Sequence, residues 1–247
     1  MERQLVLAGD RLASEPNAKP AKGTARVAGD IVATHTGFVR KAGDFYSVIP
    51  FNACYEPRAG DTVVGMVKEC NPGNWIIDIR APWDAPMHVS EAPWRVDFGE
   101  TVKYLAPGDN ILCKILFVDG QKKVQCTMKD RNLMKLEGGE VIEVPPVKVA
   151  RIIGKNGSML NLIKEYVECW LYVGQNGRVW IDGDADEVLL AEQVIRLIAR
   201  DAHLPGLTDK VRALLEAHKP GGIDGEVIVI EVEEEVVTLT EDDREEE

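Results

Sequence analysis

The residues best suited to chemistry in this sequence are Gly154-Lys155-Asn156-Gly157, preceded three positions earlier by Arg151. Two glycines let a backbone approach a sugar–phosphate chain closely, and the helix expected after them points amide donors at it. Arg151 and Lys155 add charge, and Lys148, Lys164 and Arg178 carry the basic character on, against Glu165 and Glu168. The chemistry on offer is phosphate binding without bond breaking. Four such residues alone also fit a plain helix–helix turn or a dinucleotide loop, though the third glycine and the βαβ setting of the latter are missing. Asp78, Asp84 and Asp97 form no evident two-metal cluster, and the five cysteines and four histidines are scattered without metal-ligand spacing. No catalytic residue, no metal and no cofactor is expected.

The loop needs elements to hold it. Pro146 can start a short helix that Gly154 ends, and Ser158 opens another whose inner face carries Leu160, Ile163 and Val167. Trp170 to Val173 reads as a strand, Gly174 to Gly177 as a turn, and Arg178 to Ile181 as a second strand. A helix follows over 184–200, with Asp184 or Asp186 as cap and Val188, Ala191, Ile195 and Ile198 on one face. One more runs from Thr208 to about His218. This β-α-α-β-β-α order, with Ile152-Ile153-Gly154-Lys155-Asn156-Gly157, resembles the eukaryotic-type KH domain, whose loop clamps about four nucleotides. An α+β KH domain with an extra C-terminal helix is expected over 140–219.

Upstream the signals are all β. The dipeptide Gly-Asp recurs at Gly9, Gly29, Gly43, Gly60 and Gly108, each reading as a turn into a strand. Residues 1–55 make a small all-β unit, with 13–23 as an exposed loop. In 56–137, strands at Thr62–Val67, Trp75–Ile79, Met87–Val89, Ile111–Val118 and Lys123–Met128 have the five-stranded OB-fold layout. Gly60-Asp61, Val63, Gly65, Val67, His88-Val89-Ser90-Glu91, Gly108-Asp109 and Cys126 to Asp130 stand in the order of the S1 domain, which they resemble. That resemblance implies an RNA face at Trp75, His88, Asp119 and Lys123, with Lys122 beside the last. S1 strands often carry two aromatics where this one has Trp75 alone, and Lys123 stands where Arg is usual. Trp75 either stacks on a base or packs the barrel. His88 either contacts a base or makes a structural hydrogen bond, and the two lysines either neutralise phosphate or are solvated surface.

The order of β unit, S1 and KH, together with Val173 to Ile181 around Gly174, Asn176 and Gly177, resembles the S1- and KH-bearing cap subunits of the archaeal exosome. The resemblance implies that Gly174, Asn176 and Gly177 mark the packing of S1 on KH. It implies a non-catalytic protein that binds single-stranded RNA, with three caps on a hexameric ring of RNase-PH-like subunits. The β unit would dock on the ring, and the barrels would surround the pore that 3′ ends enter. An S1/KH factor of transcription or translation is the alternative, separable by ribosome or polymerase association.

Composition agrees with such a reading once charge is located. The net charge is −12, but 224–247 holds twelve acids against Arg244, which leaves the body near neutral at −1. A local patch, not the overall balance, then decides affinity for nucleic acid. No apolar run spans a bilayer, and the opening Met1 to Asp10 is too short in its apolar part for a signal peptide, so a cytoplasmic protein with reduced thiols is expected. Replacing either loop glycine by Asp is expected to weaken RNA binding without unfolding the domain.

Overall fold

The structure is a computed structural model and describes residues 4–15, 17–204 and 206–218; the acidic segment 224–247 lies outside the described residues. The amino-terminal unit contains β1 (Leu5–Val6), β2 (Arg11–Ala13), β3 (Lys19–Pro20), β4 (Thr24–Val27), β5 (Asp30–Ala33), β6 (Gly37–Ala42) and β7 (Phe45–Pro50). They form two small sheets, ordered β1-β6-β7-β3 and β2-β5-β4. Along β7 the pleat turns Tyr46 and Val48 inward against Ile31 and Ala33, and leaves Phe45 and Ile49 outside. The segment 13–23 departs from the expected loop: Lys19–Pro20 pairs in parallel with Phe45 and Tyr46 at a sheet edge, and Ala18 is buried. An edge position tolerates Pro20, which has no N–H to give a further neighbour.

The next unit is the OB-fold barrel. Its strands are β8 (Thr62–Asn71), β9 (Asn74–Asp78), β10 (Ala85–His88), β11 (Asn110–Val118) and β12 (Val124–Thr127), ordered β10-β9-β8-β11-β12. A short helix α1 (Thr101–Tyr104) lies in the long connection, and β13 (Lys135–Leu136) pairs with β11. A bulge between Val67 and Glu69 bends the long β8, as curvature requires. The core comprises Val63, Val67, Trp75, Ile77, Ile79, Met87, Ile111, Cys113 and Ile115, with Cys126 and Met128. The side chain of Cys126 on β12 reaches the Ala85 carbonyl on β10 at 3.7 Å, so the two ends of the sheet nearly meet.

The third unit is the α+β KH domain, with β14 (Glu140–Glu143), α2 (Val149–Ile153), α3 (Ser158–Lys164), β15 (Cys169–Val173), β16 (Arg178–Gly183), α4 (Ala185–Asp201) and α5 (Leu207–His218). The sheet is antiparallel in the order β14-β16-β15. Val188, Ala191, Val194, Ile195 and Ile198 recur at helical spacing on α4 and pack with Leu171, Val179 and Ile181. Asp184 takes the N-cap position of α4 but its side chain makes no capping hydrogen bond.

The other face of this sheet meets the barrel. Trp180 packs with Val64, Leu112 and Leu136, and its indole N–H donates to the Gly138 carbonyl at 2.9 Å. The turn between β15 and β16 inserts into the barrel wall. The fully buried Asn176 donates through Nδ2 to the Val64 carbonyl at 2.8 Å and to the Ile79 carbonyl at 2.9 Å, while the Gln175 amide donates to Thr62. Gly174 and Gly177 leave no room for a side chain: an added Cβ would lie 2.7 Å from the Val64 nitrogen and 2.3 Å from the Val144 carbonyl oxygen, respectively. Arg178, only 8% exposed, donates to the Asp78 carboxylate at 2.7 Å and to Glu143 at 3.2 Å. Arg80 completes the contact by donating to the Val144 carbonyl at 2.6 Å.

Burial pushes the Asp78 carboxyl up, but the Arg178 guanidinium and the Arg80 amide outweigh it and hold it below the ordinary carboxylate value. A lowered folded-state value means stability that is full above the unfolded pKa and is lost as pH falls through the folded one. The thermal midpoint is therefore expected to drop below about pH 4. Asp78→Asn should remove this part of the pH dependence, checked by melting curves across pH 2 to 7; a variant with the same pH profile as the parent chain would refute it.

Candidate nucleic-acid interface

The KH loop is a short exposed tip on a buried base. Ile152, Ile153, Met159, Leu160 and Ile163 anchor α2 and α3 in the core, so the segment joining them has little freedom to move. Gly154 ends α2 at φ 78° and ψ 176°, a conformation that essentially only glycine adopts. Asn156 and Gly157 then take left-handed conformations at φ 52° and 74°. Lys155 and Asn156 stand exposed at the tip. Arg151 lies on the exposed side of α2, with its Nε donating to the Ala202 carbonyl at 3.1 Å, so part of its guanidinium ties α2 to the end of α4.

The basic stripe is narrower than charge counting suggests. Arg178 belongs to the barrel contact, and Lys164 is half-buried, with desolvation lowering its ammonium pKa. Gly154→Asp is also a poor probe. A Cβ there would sit 2.6 Å from the Met159 nitrogen and 2.8 Å from the Met159 Cβ, whereas one on Gly157 meets nothing nearer than 3.8 Å. The expectation that both substitutions spare the fold is therefore corrected for Gly154.

On the barrel, Trp75 is corrected outright. It is 0% exposed, packed with Ile77, Met87 and Ile111, and its indole N–H donates to the Thr101 and Leu105 carbonyls at 3.3 Å each. A satisfied N–H removes the usual cost of burying an indole, so the ring serves as a plug beneath α1 and has no face for a base. His88 is exposed; its Nδ1 accepts from the Ser90 amide at 3.1 Å and lies 2.7 Å from the Ser90 hydroxyl, which caps the turn Val89–Glu91. The imidazole thus makes its structural hydrogen bond and still presents its ring to solvent. Asp119 is occupied by the hairpin: its Oδ1 accepts from the Lys123 amide at 2.7 Å. Lys122 and Lys123 are exposed at the hairpin tip, with the Lys122 ammonium 4.8 Å from the centroid of the Trp83 ring. Sequence reasoning missed Trp83, because a lone tryptophan between Pro82 and Asp84 carries no strand or motif signal.

Among the described residues, no three His, Cys, Asp or Glu side chains converge to hold a metal ion, and no helix is long and apolar enough to cross a membrane.

An OB-fold barrel fused to a KH domain with its Gly-x-x-Gly tip exposed defines a class of RNA-binding protein. A family model described as KH domain matches residues 139–187. The chain is 38% identical over 219 residues to the exosome complex component Rrp4 of Picrophilus torridus, covering 89% of this chain and 95% of that one. It is 37% identical to the Rrp4 of Methanosarcina acetivorans, covering 100% of this chain and 95% of the relative. A crystal structure provisionally described as an exosome complex RNA-binding protein superimposes with a TM-score of 0.61 at 30% identity, over 67% of this chain and 97% of that one. The chain belongs to the Rrp4 family of exosome complex components.

Proposed function

We propose that this chain is a non-catalytic, cytoplasmic cap subunit of an exosome. It captures single-stranded RNA and feeds the 3′ end into a hexameric ring of RNase-PH-like subunits, with three cap copies to a ring. The observation that carries the proposal is the family match along essentially the whole chain and the whole relative. The exposed tip at Lys155 and Asn156, and the exposed His88, Lys122 and Lys123, supply RNA contacts of the kind such a role needs.

Docking on the ring is supported by the amino-terminal unit. Leu5 pairs with Phe38 and Phe38 with Ile49, so the three share one face of the sheet, where Leu5 is 57% and Ile49 54% exposed. Phe51 packs its ring on Phe38 at 5.0 Å and widens this apolar strip, which suits a protein partner. The test is reconstitution with RNase-PH-like ring subunits. The chain should co-elute with the ring and raise phosphate-dependent shortening of RNA, while alone it leaves RNA intact. Shortening by the purified chain alone, or no association with the ring, would overturn the proposal.

A further inference from the structure

The loop between β9 and β10 and the hairpin between β11 and β12 meet around a solvent-open pocket of about 300 Å³, lined by Trp83, Pro86, Lys122 and Lys123 among others. Its charge balance is uneven. Asp84, also on the lining, is matched by Lys68 at 2.7 Å, whereas neither Lys122 nor Lys123 enters an ion pair among the described residues. The hairpin tip is tightly built: the Lys122 amide donates to the Asp119 carbonyl at 2.9 Å and the Asp119 amide to the Lys123 carbonyl at 3.0 Å. Lys122 itself sits at φ 62°, a strained conformation for a residue with a side chain, and its ammonium lies over the Trp83 indole.

A half-buried indole beside two unpaired ammonium groups is the pairing that single-stranded nucleic acid uses, since every base has a face to stack and every linkage a charge. Trp75 cannot provide that stacking surface, because it is sealed inside the barrel. We propose that this pocket takes one unpaired nucleotide of RNA, its base on the Trp83 indole and its flanking phosphates on Lys122 and Lys123. This rests on the RNA-binding reading above and gives the barrel its own aromatic grip. In the free protein the Lys122 ammonium covers the ring. An exposed cation–π contact is weaker than base stacking combined with phosphate pairing, so the flexible lysine yields the ring and moves to the backbone.

The test is fluorescence polarisation of the full chain with a short labelled uridine oligomer, over a series of salt concentrations. Trp83→Ala is expected to weaken binding by on the order of tenfold to a hundredfold, and Trp83→Phe to keep most of the affinity. The double variant Lys122→Ala, Lys123→Ala should flatten the slope of log affinity against log salt by about 0.7 for each lysine. If the parent chain does not bind RNA at all, the RNA-binding reading itself fails. If it binds and Trp83→Ala binds equally well, only the pocket is overturned. A lower melting temperature with unchanged affinity would likewise overturn it, by making Trp83 a clip for the hairpin. Should Trp83→Ala not fold, ultraviolet crosslinking of the parent chain to an iodouridine oligomer decides: a crosslink at Trp83 supports the site, and crosslinks only elsewhere overturn it.

Discussion

Asn176→Asp is expected to cost this chain about 3–5 kcal/mol of stability, more than Asn176→Ala at about 2–3 kcal/mol. The two substitutions separate two effects at one buried position. Alanine removes both Nδ2 donations, to Val64 at 2.8 Å and Ile79 at 2.9 Å, and so forfeits two hydrogen bonds inside the barrel wall. Aspartate keeps the shape but turns a carboxylate oxygen toward two carbonyl oxygens, which adds a buried charge to the lost bonds. Urea unfolding followed by tryptophan emission checks the order, because Trp180 reports from this same contact between barrel and KH sheet. Equal midpoints for the Asn176→Asp variant and the parent chain would show that the turn does not hold the domains together.

The second large effect concerns the KH loop. Gly157→Asp is expected to weaken binding of single-stranded RNA by on the order of tenfold or more at low salt, with a stability loss of only about 1 kcal/mol. Asp tolerates the left-handed backbone at φ 74°, and the space around Gly157 is open, so its carboxylate would act chiefly by repelling phosphate. Gly154→Ala is expected to behave in the opposite way, lowering stability by about 2–4 kcal/mol through a glycine-only conformation and a clash with Met159. Melting temperature and RNA affinity measured on both variants separate the roles. Unchanged affinity in Gly157→Asp would remove the loop from the RNA site.

Much of the fold is written locally. The five Gly-Asp dipeptides upstream of the KH domain place their glycine at positive φ, at the turns where the residue types alone put them. The KH strands and helices follow period and punctuation closely, since each is built from short-range signals. The barrel face of β9 is harder to read. Trp75, Ile76 and Ile77 are all apolar, so alternation says that Trp75 shares a side with Ile77 and Ile79 but not which side is the interior. Only the closing strands and α1 decide that. Arg178 reads as one more basic residue in a basic stretch, because Asp78, a hundred positions earlier, becomes its partner only through folding. Arg80, at φ 57° and bonded to Val144, is invisible to any pattern for the same reason.

The turn that seats Asn176 and Arg178 in the barrel wall also fixes a distance. With barrel and KH domain clasped in this way, the pocket at Trp83 and the tip at Lys155 do not drift independently, and the two proposed RNA contacts would together act as a caliper on a bound strand. A strand too short to reach both grips gains from one of them alone, whereas a longer strand held at one is presented to the other at high effective concentration. On that proposal, length would be a quantity sensed before any sequence is read.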